Sequence, residues 1–152
     1  MKAGTFNLEY NIELIRRDHT TGLEIDRSEI KNLIVNTGLQ RIAQLLNGVD
    51  TTYMRAIAIG TGSTAVTATD TELETEVDRA TATLTYETGY KAKFSHTFTF
   101  ASGVSYTITE VGVFDSATVS GSTMLNHALD AGKAVDGDTD LTVNITITAS
   151  AV

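Results

Sequence analysis

Glu110 is the residue whose type and position most clearly suggest chemistry. It lies in the segment ITEVGVFD, residues 108–115, whose apolar residues are typical of a buried strand. A carboxylate in such a strand costs free energy unless it is paired, and enzymes use carboxyl groups in apolar surroundings as general acids. A general acid usually has a second carboxylate or a histidine beside it, and no such partner is evident from the spacing. The segment therefore favours a structural role over catalysis.

The alternation of apolar residues shifts by one position just before Glu110. The apolar positions on the two sides of the shift are Val104, Tyr106 and Ile108, then Val111 and Val113. One extra residue in a strand, a β-bulge, produces such a shift, and Gly112 allows a close backbone approach beside it. Arg79, in the segment EVDRA on another predicted strand, offers a cation. We expect Glu110 and Arg79 to form a partly buried ion pair that fixes the register of the sheet.

Two other segments resemble ligand-binding loops only in part. The glycine-rich stretch IGTGSTA follows an apolar strand but lacks the Gly-Lys-Ser/Thr ending of a phosphate loop, which favours a turn. The segment DGDTD spaces Asp136, Asp138 and Asp140 at alternate positions, as a calcium loop does. It lacks the glycine after the third aspartate and the distant glutamate of such a loop. A turn is favoured there too, and a weak cation site stays open as the alternative.

The remaining residues give no catalytic pattern. His19, His96 and His127 lie far apart in sequence, and neither H-E-x-x-H nor G-x-S-x-G is present. We expect His19 to be solvated in a turn and His96 to be a hydrogen-bonded core or interface residue. We therefore predict a protein that is not an enzyme, with no catalytic, cofactor-binding or metal-binding residues and no cofactor.

Composition limits the class of protein. The chain has 152 residues, of which 41% are hydrophobic and 20% charged, which predicts one globular domain over residues 1–152. Its 19 acidic and 11 basic residues give a net charge of −8, which disfavours nucleic acid as a partner. No apolar run has the length of a membrane span, so we expect no membrane association. The absence of cysteine excludes disulfides and thiolate chemistry.

Period-two alternation dominates the chain and predicts the fold class. Residues 5–14 place Phe6, Leu8, Tyr10, Ile12 and Leu14 on one face, and residues 141–148 repeat the pattern. The phase slips once between Ile25 and Ile30, which predicts a bulge or break near residues 26–28. About eight such strands and one helix predict a mainly β fold, an antiparallel sandwich or barrel-like domain. Residues 4–35 are predicted to form an N-terminal β-hairpin arm.

One short α-helix is predicted over residues 37–47, in TGLQRIAQLLNG. Its apolar residues recur at helical spacing and should face the sheet: Leu39, Ile42, Ala43 and Leu46. Thr37 and Gln40 match a capping box, and Gly48 lies where a helix commonly ends.

Several stretches, in order, resemble a known family. They are NLIVNTGLQRIAQLL, AIAIGTGSTA, ELETEVDRA and ITEVGVFD, followed by a threonine-rich terminal strand. Over roughly residues 30–152 the chain resembles the particle-proximal domain of phage tail-collar fibre proteins and small phage virion proteins, including capsid decoration and head-fibre proteins. The resemblance implies that Arg79, Glu110, Gly112 and Asp115 are structural framework positions.

The resemblance also implies a function and partners. It predicts a non-enzymatic virion structural protein, assembled in the host bacterial cytoplasm, that contacts the major capsid protein or other virion proteins and forms a homo-oligomer, with a trimer favoured. Fibre proteins continue into a shaft and a receptor-binding tip, whereas this chain stops. That difference favours capsid decoration, with the hairpin 4–35 as a docking arm.

Two alternatives stay open. The first is a tail fibre, collar or baseplate attachment protein. The second is a carbohydrate-binding β-sandwich module, which would need a groove with exposed aromatic side chains. The chain has no Trp, and most of its five Phe and five Tyr residues fall on predicted apolar faces.

Overall fold

Two five-stranded antiparallel sheets face each other in the computed structural model of this protein, which describes residues 4–151. The elements are β1 (Phe6–Asp18), β2 (Glu24–Ile30), β3 (Leu33–Ile34), α1 (Asn36–Asn47), β4 (Ala56–Gly60), β5 (Glu76–Thr81), β6 (Thr83–Glu87), β7 (Lys91–Thr99), β8 (Ser105–Phe114), β9 (Met124–Asp136) and β10 (Thr139–Ala151). The first sheet has the order β2-β1-β10-β7-β6, and the second has the order β3-β9-β8-β4-β5. The predicted mainly β sandwich with one short helix is confirmed, with ten strands in residues 4–151 rather than about eight.

Alternating side chains build the core between the sheets. On β10, Leu141, Val143 and Ile145 are fully buried, while the threonines and asparagine between them are only partly buried. The facing positions of β8, among them Val111 and Val113, belong to the same buried cluster. A smaller cluster lies on the other side of the second sheet and contains Val35, Ala56, Ala58, Leu73, Phe114 and Met124. The second sheet is therefore packed on both of its faces.

The predicted N-terminal hairpin is present as β1 and β2, and it is built into the first sheet. Strand β1 pairs with β2 on one side, but it also pairs with β10 along its whole length, from Phe6 to Asp18. Because β1 fills an interior position, β2 is the strand of the hairpin that lies at an edge of the sheet. An irregularity in β2 is present opposite the Arg16–Arg17 step, at Ile25, one residue before the predicted range 26–28.

Helix α1 begins and ends close to the predicted residues, but it presents a different face to the sheet. Its buried residues are Gly38 and Arg41, whereas Leu39 and Leu46 are exposed. A Cβ at Gly38 would lie 2.2 Å from the Leu125 carbonyl oxygen, so glycine allows the helix to touch β9 directly. Of the predicted apolar face, Ile42 packs against the core while Leu39, Ala43 and Leu46 are exposed, because close backbone approach and the ion pairs of Arg41 determine the orientation.

The sequence predicted the C-terminal end of α1 correctly but not the hydrogen bonds at its N-terminal end. Val35 is the N-cap residue, and the Thr37 hydroxyl donates to the Met124 carbonyl at 2.9 Å, so the capping box is not formed. Gly48 ends the helix with a φ of 73°, as predicted. Within residues 4–151 no helix has the length and hydrophobicity needed to cross a membrane.

The contact at Gly38 gives a stability prediction. Gly38→Ala should lower the free energy of unfolding by about 2 kcal/mol, although alanine is the better helix former, because the added methyl group must displace the helix from β9. Chemical denaturation measures the change. Gln40→Ala, an exposed position of the same helix, is the control and should change stability by no more than about 0.5 kcal/mol. Equal effects of the two substitutions would contradict the close approach.

Candidate functional site: a buried carboxylate and the loop that encloses it

The pairing of β8 with β9 is irregular just before Glu110, where the sequence predicted a bulge, but the extra residues lie in β9 and not in the strand that contains Glu110. The β8–β9 register shifts between Ile108 and Glu110, where residues 130–132 of β9 lie opposite the single residue Thr109. The shift turns both Ile108 and Val111 toward the main core and turns Glu110 to the opposite face of the sheet. There its side chain is fully buried beneath residues 61–75, the loop that joins β4 to β5.

The Glu110 carboxylate is held by four hydrogen bonds. Its Oε1 accepts from the backbone amides of Gly62 and Thr75, at 2.9 and 2.8 Å. Its Oε2 accepts from the backbone amide of Glu74 at 2.9 Å and lies 3.0 Å from Nε2 of His127. A carboxylate has about four acceptor positions, so this group is saturated. Three of the donors belong to the loop 61–75, which therefore supplies most of the charge stabilisation that burial requires.

Glycines make room for this carboxylate. Gly60 lies opposite Glu110 in the β4–β8 ladder, and a Cβ there would lie 2.4 Å from Glu110 Oε1. A Cβ at Gly62 would lie 2.6 Å from the same oxygen. The stretch IGTGSTA is thus a loop that binds an anion through its backbone, and the anion it binds is a carboxylate of the same chain.

His127 connects Glu110 to a second carboxylate. It lies opposite Gly112 in the β8–β9 ladder, and its ring is almost fully buried. Nδ1 of His127 is 2.7 Å from Asp70 Oδ2, while Nε2 faces Glu110. Both ring nitrogens therefore face carboxylate oxygens. The series Asp70–His127–Glu110 joins the loop to two strands.

Hydrogen bonds to two carboxylates of the loop itself, those of Glu74 and Asp70, also stabilise its conformation. Glu74 accepts from the backbone amides of Ser63 and Thr64, and Asp70 accepts from the amide and hydroxyl of Thr67. Hydrogen bonds, above all that from the Thr64 hydroxyl, lower the pKa of Glu74. Burial by itself would raise the pKa of Asp70, but the bonds from Thr67 and His127 outweigh it, so that pKa is also lowered. Both groups therefore stabilise the fold in their ionised form.

An open cleft of about 310 Å³ lies beside the series and is lined by Thr64, Ala65, Asp70, Glu72, Leu73, Glu74 and His127. A general acid or base must reach a substrate atom with a free oxygen or nitrogen. In this arrangement both ring nitrogens of His127 and the acceptor positions of Glu110 are engaged within the protein. The chemistry that the geometry supports is ordering of the loop by buried charge.

Arg79 does not pair with Glu110, so the predicted ion pair is wrong. Its guanidinium binds both oxygens of Glu76, at 2.9 and 2.7 Å, and lies 3.7 Å from the centre of the Phe114 ring. Arg79 and Gly112 both lie opposite Ala58, one row away from Gly60 and Glu110. The side chain of Arg79 therefore covers Phe114 and donates to Ser122, attaching residues 116–122 to β5.

The other two predicted framework residues are also buried on the second sheet. Asp115 accepts from the Thr123 amide and pairs with Arg41 at 2.9 Å, which links the end of β8 to α1. Gly112 lies under Leu73 and Phe114, where a Cβ would be 3.2 and 3.0 Å from their side chains. Asp115 therefore connects the second sheet to α1, and Gly112 lets Leu73 of the loop 61–75 pack on the same outer face.

The aspartates of DGDTD form a turn. Asp136 accepts from the Asp138 amide and from the Thr139 hydroxyl, and Asp140 lies 2.7 Å from Nδ1 of the exposed His19. Among residues 4–151 no group of three or more His, Asp or Glu side chains is arranged to hold a metal ion. His96 was expected to be hydrogen-bonded. Its ring packs edge-on against the Phe98 ring, with 4.7 Å between the two ring centres.

Sequence reasoning identified Glu110 but missed its partners. His127, Asp70 and the amides of the loop lie far from Glu110 in sequence. The one usable signal was Gly60-x-Gly62 directly after a buried strand, which indicates a close approach of backbone to some other group.

Comparison with known proteins gives no relative from which a function could be transferred. No family model, no curated protein and no solved structure matches this chain. Its function is therefore inferred from its own residues and geometry.

The saturated carboxylate predicts a large effect of a small change. Glu110→Gln should lower the free energy of unfolding by about 3 kcal/mol, because it removes the buried charge and turns an NH₂ group toward a donor. Glu72→Gln makes the same chemical change at an exposed position of the same loop and should have an effect below about 0.5 kcal/mol. Chemical denaturation of the two variants tests this. A Glu110→Gln protein as stable as the Glu72→Gln protein would contradict the role of the carboxylate.

The lowered pKa of Asp70 predicts a dependence of stability on pH. Because the unfolded chain takes up the proton first, the contribution of Asp70 is complete above its ordinary pKa, near pH 4, and is lost as the pH falls through the lowered value. Asp70→Asn removes this contribution. Denaturation between about pH 7 and pH 3 should show a smaller loss of stability on acidification in the variant than in the parent protein. Parallel pH curves would show that Asp70 does not contribute.

Proposed function

We propose that this protein is a non-enzymatic bacteriophage virion structural protein, a capsid decoration protein that binds the particle surface and stabilises it. Its partners would be the major capsid protein or other virion proteins, and a homo-oligomer, with a trimer favoured, would be the bound form. The ordered series of motifs that resembles phage virion proteins supports this assignment. Three residues in these motifs, Arg79, Glu110 and Asp115, also make the buried polar contacts of the second sheet.

The observation that carries the proposal is the use of buried charge. Glu110 holds the loop 61–75, Arg79 holds residues 116–122, and Asp115 holds α1 through Arg41. In each case a buried charged group fixes a connection that would otherwise be mobile. A protein that must persist on a particle benefits from fixed connections, whereas an enzyme of this size would need free polar groups in a cleft.

The surface is compatible with a protein partner. The net charge of −8 repels nucleic acid and would favour a basic protein surface. Strand β2, with the sequence EIDRSEI, lies at an edge of the first sheet and presents Glu24 and Glu29 to solvent. The hairpin can therefore still contribute a docking edge, although it is built into the sheet.

One observation favours the carbohydrate-binding module as a second candidate. Tyr53, Tyr86 and Tyr90 are exposed, contrary to the expectation that the aromatic residues lie mainly on buried faces. Exposed aromatic rings of this kind can stack on sugar rings. A glycan array with the purified protein examines this candidate separately.

Co-sedimentation with purified particles tests the proposed function. The protein should pellet saturably with empty capsids, and decorated capsids should withstand a higher temperature than bare ones before they break open. Isolated tails from the same phage are the matched control. Binding to tails alone would support the tail-attachment alternative, and glycan binding without association with either particle would support the carbohydrate module. Either result would overturn capsid decoration.

A further inference from the structure

The inner face of the first sheet continues beyond the part that the second sheet covers. Ile12, Ile145 and Phe94 form one cross-strand row of buried residues, and Leu84 of the edge strand β6 completes it. The next row toward the N-terminus of β1 contains Tyr10, Ile147, Ala92 and Tyr86, and two further pairs follow, Leu8 with Ala149 and Phe6 with Ala151. Because side chains alternate, all these residues lie on the same face as the core.

These outer rows form one continuous apolar surface. We call it the apolar shelf and define it by Phe6, Leu8, Leu45, Leu84, Tyr86 and Tyr90. One shallow cleft lies between Phe6, Leu8 and Leu45 of α1 and shares Phe6 with a second cleft beside Tyr90. It also shares Met54 with a third cleft beside Leu84 and Tyr86. The shelf therefore runs from α1 across the end of the first sheet to its edge.

The sequence pattern requires burial that the single chain does not provide. The alternation from Phe6 to Leu14 predicts an uninterrupted buried face. In the structure Ile12 and Leu14 are fully buried, whereas Phe6 is 62% exposed. Tyr86, which continues the same face on β6, is 70% exposed. Tyr10 and Ile147 still pack against the core, so strand β1 is patterned for a cover about two residue pairs longer than the second sheet supplies.

Tyr90, in the turn between β6 and β7, extends the exposed apolar surface beyond the strands. It is the one non-glycine residue of residues 4–151 with a positive φ, 64°, a conformation that costs a tyrosine about 1 kcal/mol and that glycine or asparagine adopts readily. Its side chain is 73% exposed, so burial within this chain does not offset that cost. The tight turn between β6 and β7, in which Gly89 also has a positive φ, imposes this conformation, and it leaves the tyrosine ring exposed beside the shelf.

We infer that the apolar shelf is a self-association surface and that a second copy of this chain covers it. The six side chains that define the shelf are uncharged, and two charged side chains, Arg41 and Lys93, also line its clefts. A mainly apolar surface of this kind is typical of interfaces between identical chains. The exposed rings and leucines offer about 500 Å² per copy. Two facing shelves would then bury about 1,000 Å², the minimum expected of a specific interface.

The geometry of a sandwich explains why a second copy fits. Two sheets pack about 10 Å apart with their apolar faces together. Where the second sheet ends, the shelf of another copy can take its place, and each copy then covers the other's outer rows. This inference deepens the proposed homo-oligomer by naming the surface that forms it, and it rests on that part of the proposed function but not on the binding to capsids.

Measurement of mass in solution tests the inference. The parent protein should sediment as a multiple of its 16.2 kDa chain mass. The double variant Phe6→Lys/Tyr86→Lys should associate at least about tenfold more weakly, because it places charges in an apolar interface. Both substituted positions are exposed in the single chain, so the circular dichroism spectrum and the denaturation midpoint should remain close to those of the parent.

Leu23→Lys provides the matched control. Leu23 is as exposed as the shelf residues but lies in the β1–β2 turn, roughly 40 Å along β1 from Phe6, so it should leave the mass unchanged. A parent protein that is monomeric at its highest soluble concentration would overturn the inference. So would an oligomer whose mass the double variant does not change, or a monomer whose binding to capsids the double variant abolishes, since the shelf would then be covered by a different protein.

Discussion

The burial of the Glu110 carboxylate is the interaction on which the rest of the second sheet depends. A charge removed from water must receive hydrogen bonds from the protein, and here three of its four donors are backbone amides of residues 62, 74 and 75. Those amides converge only when the loop 61–75 adopts one conformation. The loop in turn places Leu73 over Phe114 and Gly112. Charge burial, loop conformation and packing of the outer face are therefore coupled, and none is expected to form alone.

This coupling has consequences for motion. A connection of this length without regular secondary structure is usually mobile or serves as a binding loop. Here Glu110, Glu74 and Asp70 use their oxygens to bind amides and hydroxyls of the same loop, and His127 joins two of them. Polar groups that would otherwise be available to a ligand instead hold the chain in place. This use of polar groups to order the chain is the physical argument for the proposed role on a virion.

The two sheets differ in how completely they are covered. The second sheet is packed on both faces, by the core on one side and by the loop and α1 on the other. The first sheet is longer than its cover, so its inner face ends in Phe6, Leu8, Tyr86 and their neighbours. Apolar surface left in water carries a free-energy cost of about 25 cal/mol per Å², which association with another copy would recover. The same period-two pattern thus specifies both the core and a surface outside it.

Elements whose signal is local were predicted from the sequence: the strands, the sandwich class, Gly48 at the end of α1 and the position of the irregularity before Glu110. The partners of Glu110, the buried face of α1 and the place of β1 inside a sheet were not, because each depends on residues distant in the chain. A one-row difference in register separates Arg79 from Glu110, and local pattern contains no information on register between strands. Side-chain alternation depends only on neighbouring residues, so strands can be predicted from the sequence alone. The pairing that brings Asp70, His127 and Glu110 together arises only when the whole sheet has formed.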